Sequence, residues 1–336
     1  MAFRARLVAA WYAGKPTPLA VALLPLSWLF AAVVALRRAL YRHGWLKRES
    51  AGVPVVVTGN ITAGGSGKTP LAMALATALA ASGRKPGLVS RGYGGNARVA
   101  REVREGDDPG IVGDEPPLLA GAGFPVWIGR DRVVAARALR QAHPECDVII
   151  GDDGLQHYRL ARDVEIAVID DARGLGNGWM LPAGPLREPA SRLRDVDAIV
   201  HLVPTGEVPV KGADARHSFM THAPVRFRNL VDPASAVDPR TWGKGEVHAI
   251  AGIGHPQRFF DLLEAMGIEL TGHAFPDHHV FVADDLALPQ ARVIVMTAKD
   301  AVKCARFADA RCHALDIRAV IDPALVSLVL ERIDGR

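Results

Sequence analysis

Residues 59–70 read Gly-Asn-Ile-Thr-Ala-Gly-Gly-Ser-Gly-Lys-Thr-Pro, between an apolar β-branched run at 53–57 and an Ala- and Leu-rich run at 71–81. Strand, glycine-rich loop and helix, with Gly-Lys-Thr at the junction, is an arrangement that cradles the phosphates of a nucleotide. The glycines let backbone N–H groups turn inward, and the helix N-terminus adds a favourable dipole. The expected nucleotide-binding residues are Thr62, Ala63, Gly64, Gly65, Ser66, Gly67, Lys68 and Thr69. Lys68 is expected on the β- and γ-phosphates, and the Thr69 hydroxyl on Mg²⁺. The pattern departs from the usual one at Thr62, where a glycine is customary; the glycines have moved to 64 and 65. Ala63 also stands where dimerising switch ATPases carry an additional lysine.

Beyond this motif the chain keeps alternating. Strands are expected at 53–58, 86–90, 125–128, 147–151, 164–169, 197–203, 247–251 and 292–296, and helices at 69–81, 130–141, 256–266 and 300–307. That alternation predicts an α/β fold of the P-loop NTPase type, a mostly parallel sheet with helices on both faces. A polar stretch punctuated by Asp232-Pro233, Asp238-Pro239 and Gly243 suggests a boundary near residue 235. The expected division is a hydrophobic segment at 1–50, a P-loop domain at 51–235 and a smaller α/β domain at 236–336.

A hydrophobic content of 49% in 336 residues is enough for a sizeable core. The net charge of +4 suits an anionic substrate or lipid. No aromatic residues interleave the basic ones as in RNA-binding surfaces, so nucleic acid is not an expected partner. Cys146, Cys304 and Cys312 lack zinc-ligand spacing and read as reduced thiols of a cytosolic compartment.

Residues 16–36 are 21 positions without a charge, long enough to cross a bilayer core. Pro18 and Pro25 are expected to kink this helix, with Trp11, Tyr12, Trp28, Tyr41 and Trp45 in and around it as candidate interfacial aromatics. More cations follow the run (Arg37, Arg38, Arg42, Lys47, Arg48) than precede it (Arg4, Arg6, Lys15). That bias leaves the rest of the chain in the cytoplasm. Whether the helix spans the membrane, lies on it or is buried in the protein stays open.

Several segments carry candidate chemistry. An apolar strand ends in Asp152 and Asp153, where P-loop enzymes hold Mg²⁺ directly or through water. Asp114 and Glu115 precede Pro116 and Pro117, which keeps both carboxylates in a loop; one beside a γ-phosphate could take the proton of an attacking hydroxyl. Asp277-His278-His279 lies between Phe275 and Phe281. Adjacent side chains of an extended segment point apart, so a single histidine is expected to face the site. Arg91, in a Gly-rich loop after the 86–90 strand, and Arg187, in the Pro- and Gly-rich loop 181–189, are cations on loops suited to phosphate or sugar.

Together these runs resemble the tetraacyldisaccharide 4′-kinase family of lipid A biosynthesis. The resemblance extends over residues 59–70, 90–95, 113–116, 152–157, 181–189, 251–260, 277–279 and 297–303, in family order. It implies an ATP- and Mg²⁺-dependent kinase of the inner membrane, facing the cytoplasm. Such an enzyme phosphorylates the 4′-hydroxyl of an acylated glucosamine disaccharide 1-phosphate, so the lipid substrate and the membrane surface are the implied partners. By position, Lys68 and Thr69 bind phosphate and Mg²⁺, and Asp114 is the base with help from His278 or His279. Glu115, Asp152 and Asp153 form the metal and catalytic shell; Arg187, Arg91, Arg130 and Arg132 meet substrate phosphate. The chain departs from the family at Ala298, where Glu is expected, and at His255, where Asn is commoner. The competing readings are a membrane-tethered NTPase switch or transport-coupling ATPase, and a soluble small-molecule kinase or ligase.

Overall fold

The computed structural model describes residues 2–65, 67–204 and 216–335; Ser66 of the phosphate loop lies outside them. Three helices come first: α1 (Ala2–Trp11), α2 (Pro18–Ala22) and α3 (Leu24–Arg42). Strand β1 (Val55–Gly59) leads through the phosphate loop into α4 (Lys68–Ala81). There follow β2 (Pro86–Ser90), β3 (Arg101–Val103), the short helices α5 (Pro109–Val112) and α6 (Pro116–Ala120), β4 (Val126–Ile128), α7 (Arg132–Ala142), β5 (Val148–Gly151), β6 (Val164–Asp170) and β7 (Ala198–Leu202). The remainder is β8 (His217–Asn229), β9 (Ala236–Val237), β10 (Val247–Ala251), α8 (Pro256–Ala265), β11 (Leu270–Ala274), β12 (Val293–Thr297), α9 (Ala298–Cys304), β13 (Cys312–Ile321) and α10 (Pro323–Asp334).

All the expected strands form, with ends displaced by a residue or two. They join one sheet in the order β11-β10-β12-β13-β8-β7-β6-β1-β5-β2-β4-β3, with β9 beside β8. Neighbours from β8 to β4 are parallel, as are those from β11 to β13. The two parallel blocks meet at the antiparallel β8–β13 pair. Neither strand of that pair was expected. β8 contains Pro224, which the pairing accommodates at a bulge: Arg226 faces Asp316, Pro224 faces Ile317, and Val225 is looped out.

Strand alternation sends Val56 and Ile150 to one face of the sheet and Val55, Val57 and Ile149 to the other. On the first face α4 lays down Leu71, Leu75 and Leu79, and α10 returns from the end of the chain to add Leu325, Val329 and Ile333. On the second, α7 supplies Val133, Ala136 and Leu139. In the other block α8 buries Phe259, Phe260 and Leu263, while α9 places Ala301 and Cys304 against Phe281 on the opposite face. Each fully buried leucine or phenylalanine contributes about 1.5–3 kcal/mol.

The N-terminal segment differs from the expected kinked helix. Pro18 opens α2 and Pro25 sits in the first turn of α3, positions where a missing N–H costs nothing. The long apolar helix therefore covers Leu24–Arg42. One face of it, Ser27, Phe30, Ala31 and Val34, packs on the 175–193 loop, with the Ser27 hydroxyl donating to Met180 O at 2.7 Å. The opposite face exposes Leu26, Leu29, Val33 and Leu36. Trp11 is buried and donates to Pro182 O at 2.9 Å, so it is a packing residue and not an interfacial one.

Candidate active site

The loops after β1, β2, β5, β10 and β12 all leave the carboxyl ends of parallel strands. From β1 the chain adds strands on one side and later lays β6 and β7 on the other, so the phosphate loop sits at a topological switch point, where α/β sheets bind ligands. Gly67 opens α4 with φ +80°, a left-handed conformation that any residue with a Cβ would adopt only under strain. The loop is strapped to residues 181–189: Ala63 N donates to Pro185 O and Arg187 N to Ile61 O, both at 2.7 Å. Buried Glu188 anchors that strap by accepting from Gln156 Nε2 at 2.8 Å and from the Tyr158 hydroxyl. From the second block, Gly254 meets the loop backbone to backbone; a Cβ on it would lie 2.6 Å from Gly65 N.

Lys68 is nearly buried, with Nζ 3.8 Å from Asp153 Oδ1. Arg187 Nη1 lies 3.2 Å from both oxygens of the same carboxylate, and buried Arg132 donates to the Asp153 carbonyl at 3.2 Å. Burial alone would raise the Asp153 pKa, but the charges of Lys68, Arg187 and Arg132 hold it down at about 2. Asp152 behaves oppositely. It is fully buried and accepts from the Thr69 hydroxyl at 2.9 Å, and burial together with the charges of Glu115 and Asp153 pushes it up to about 7. Two adjacent carboxylates thus reach opposite protonation tendencies through their surroundings.

A second cluster joins the two blocks. Asp114 Oδ2 lies 3.0 Å from His278 Nδ1, 3.7 Å from Lys299 Nζ and 3.9 Å from Lys303 Nζ. Glu115 receives Lys299 Nζ at 3.0 Å, and Asp277 Oδ1 lies 3.7 Å from the same nitrogen. Burial works to raise the Asp114 pKa, but the His278 hydrogen bond and the Lys299 and Lys303 charges keep it below the usual carboxylate range. His278 is held in the left-handed region (φ +60°), as is Asp153 (φ +47°). Among the described residues these are the non-glycine positions with positive φ, and both lie in these clusters. Such backbone costs about 1–3 kcal/mol and persists where surrounding contacts dictate it.

The structure separates the two histidines. His279 turns away, with Nε2 2.9 Å from Asp285 Oδ2 and its ring edge-on to Phe281. Accordingly His278→Ala is expected to reduce turnover by about 10²-fold or more. His279→Ala should mainly lower the melting temperature, and parallel kinetic and thermal-unfolding measurements check both.

Arg132 and Arg187 join the first cluster, and Arg91 is close enough that its charge acts on Arg132. Burial and the Arg91 charge lower the Arg132 pKa to about 10, against the raising effect of Asp153. Arg130 is exposed and, among the described residues, pairs with no carboxylate of the site. Lys299 and Lys303, in the run 297–303, belong to the cluster although the sequence assigns them no role. Their spacing was the available signal: positions 299 and 303 share one face of a helix that starts at the end of a strand.

A divalent cation fits the first cluster. Asp152 Oδ1 is buried without a hydrogen-bond partner, next to the Thr69 hydroxyl and within the field of Glu115. These are hard oxygen donors, as Mg²⁺ requires. Among the described residues no three His, Cys, Asp or Glu side chains form a ready-made metal cage. That suits Mg²⁺, which keeps several waters and takes ligands from substrate phosphates.

Comparison with known proteins converges on one assignment. The family model described as Tetraacyldisaccharide-1-P 4′-kinase matches residues 19–334. The tetraacyldisaccharide 4′-kinase of Azoarcus sp. (strain BH72) is 51% identical over 317 residues, covering 94% of this chain and 92% of that protein. That of Thiobacillus denitrificans is 47% identical over 324 residues, covering 94% and 96%. The crystal structure of LpxK from Aquifex aeolicus in complex with ATP superposes with a TM-score of 0.76 at 28% identity, covering 94% of this chain and 99% of that one. With its phosphate loop, its carboxylate clusters and this similarity along nearly its whole length, the chain belongs to the tetraacyldisaccharide-1-phosphate 4′-kinase family.

Proposed function

We propose that this chain moves the γ-phosphoryl group of ATP onto the 4′-hydroxyl of a tetraacylated glucosamine disaccharide 1-phosphate, at the cytoplasmic face of the inner membrane. The observation that carries the site assignment is the Asp114–His278 pair, drawn from the two blocks of the sheet, with a half-buried histidine and a buried carboxylate beside two lysines. Asp114 takes the proton of the 4′-hydroxyl as its oxygen attacks phosphorus, and His278 shares that proton. A carboxylate held below its ordinary pKa is a weak base alone, so the pair and not the single residue accepts the proton. Lys68, presented at the N-terminus of α4, meets the charge on the transferring group. Asp153 and Arg187 position Lys68 and the incoming phosphate. Asp152 and Thr69 would hold Mg²⁺, assisted by Glu115; when bound, the metal neutralises charge on the β- and γ-phosphate oxygens. Arg91 and Arg132 remain candidates for substrate phosphate.

Asp277, His278 and Lys299 meeting Asp114 support the expected division into a P-loop domain (51–235) and a smaller domain (236–336), whereas α10 of the latter packs on the α4 face of the former. Membrane association rests on the exposed apolar face of α3, with the exposed cations Arg37 and Arg42 beyond it; α3 is long and apolar enough to cross a bilayer. Each such cation adds about 1 kcal/mol near anionic lipid. The NTPase-switch reading gains nothing from the family assignment.

The test is transfer from Mg-ATP to the acceptor lipid in detergent micelles. A bis-phosphorylated product is expected; ATP hydrolysis without it would overturn the proposal. The site also predicts a proton balance. With Asp152 raised to about 7, Mg²⁺ uptake displaces close to one proton at roughly pH 6 and almost none at roughly pH 8. Titration of Mg²⁺ in weakly buffered enzyme reads this directly, and Asp152→Asn should abolish the low-pH release. In the metal-free protein the same raised pKa makes the fold less stable as pH rises from about 4 to about 7.

A further inference from the structure

A cavity of about 540 Å³ lies outside both clusters, between the α1–α2 connection, the loop after β6 and the start of α8. Its polar lining is Tyr12, Lys15, Arg173, Asn177 and His255; among the described residues no carboxylate lines it. Of the acidic residues nearest in sequence, Asp171 pairs with His201 at 2.8 Å, and Asp170, behind the lining, is held by Arg258 on one oxygen and lies 3.8 Å from His255 Nδ1 with the other. Arg173 is pre-set. Its guanidinium stacks 4.2 Å over the Tyr12 ring and donates to Gly254 O at 2.8 Å, leaving further N–H donors free to turn into the cavity. Lys15 is exposed at the rim, a few residues before the apolar-faced α3.

We propose that this cavity binds the phosphate of an acylated lipid, supplied either by the acceptor's own 1-phosphate or by a bilayer phospholipid. A pocket with two cations, Lys15 and a planar, stacked Arg173 guanidinium, suits a phosphate ester. The cavity is lined by the connection that leads through α2 into α3, so the phospholipid source rests on the membrane reading above. Arg173 also ties the site to nucleotide binding. Its Nη1 would lie 3.7 Å from a Cβ on Gly64 of the phosphate loop, and its bond to Gly254 holds the second block against that loop. An occupied pocket therefore favours the contact between the blocks.

The experiment uses the full chain and its variants Lys15→Gln and Arg173→Gln, with Arg240→Gln as a control surface charge. One arm measures KM for the acceptor in neutral detergent with no other lipid. The other measures co-flotation with phosphatidylcholine vesicles with and without phosphatidylglycerol. A roughly fivefold rise in acceptor KM at unchanged kcat identifies the acceptor phosphate, fivefold being the weight of one cation near an anionic headgroup. Unchanged KM with loss of the phosphatidylglycerol-dependent flotation identifies the phospholipid. If Lys15→Gln and Arg173→Gln match Arg240→Gln in both arms, the proposal fails. Because Lys15 is exposed, its variant remains informative should Arg173→Gln fold poorly. If wild type does not float, the membrane reading fails while the detergent arm still decides on the pocket.

Discussion

Replacing Asp114 by asparagine is expected to lower kcat for phosphoryl transfer by roughly 10²–10⁴-fold, the weight of a positioned general base, and to leave KM for ATP close to its wild-type value. The substitution is nearly isosteric, so the 3.0 Å contact with His278 can persist while the proton acceptor is lost. Lys299 and Lys303 then lose the carboxylate that they share, while Glu115 and Asp277 stay beside Lys299 and Asp300 stays beside Lys303. That change has a stability signature. The Asp114 pKa is depressed in the folded protein, so its contribution is complete above the ordinary carboxylate pKa of about 4 and is lost as pH falls through the folded value. The melting-temperature gap between wild type and Asp114→Asn should therefore be flat from roughly pH 6 to 8 and close only under acid, below about pH 4. A variant with full kcat would remove Asp114 from the role of base.

Lys68→Ala is expected to cost roughly 10²–10³-fold in kcat, the measure of one preorganised donor aimed at developing charge. It also frees Asp153 from one of its cations. Arg187 and Arg132 remain near that carboxylate, so the loss of stability should fall short of the ~3–5 kcal/mol seen when a buried charge is left with no partner. Lys68→Arg keeps the charge but cannot keep the position. Lys68 is almost buried with Nζ 3.8 Å from Asp153 Oδ1, and a planar guanidinium does not reproduce a compact ammonium at that point. Transfer assays on both variants, each with its melting curve, separate lost chemistry from lost fold. Wild-type turnover by Lys68→Ala would remove this lysine from the site.

The phosphate loop, the parallel strands and the helices over residues 68–81, 132–142 and 256–265 were legible because their signals are local. Glycine placement, β-branched runs and apolar periodicity each act over a few residues. β8 and β13 were not legible. β8 carries Pro224 and three polar or charged residues near its end, and it is a strand because β7 and β13 pair with it from either side. The return of α10 to the α4 face is likewise invisible locally, since its apolar stripe would serve equally against any sheet.

At the site the residue types were set by sequence, and the partnerships were not. The run Asp277-His278-His279 announces that one histidine faces outward from its neighbour, but only the fold turns His278 to Asp114, 164 residues away, and His279 to Asp285. Asp152 and Asp153 are adjacent and chemically identical in the sequence. Tertiary burial and the cations of three separate segments drive one up to about 7 and the other down to about 2. Lys299 and Lys303 became part of the cluster only when the second block closed on the first. The sequence by itself determined that this chain binds phosphate on an α/β sheet, because backbone conformation and hydrophobic pattern are properties of neighbouring residues. Which carboxylate is paired, which has its pKa raised and which histidine faces Asp114 was decided by tertiary structure, because charge interactions and desolvation depend on distance in space and not on distance along the chain.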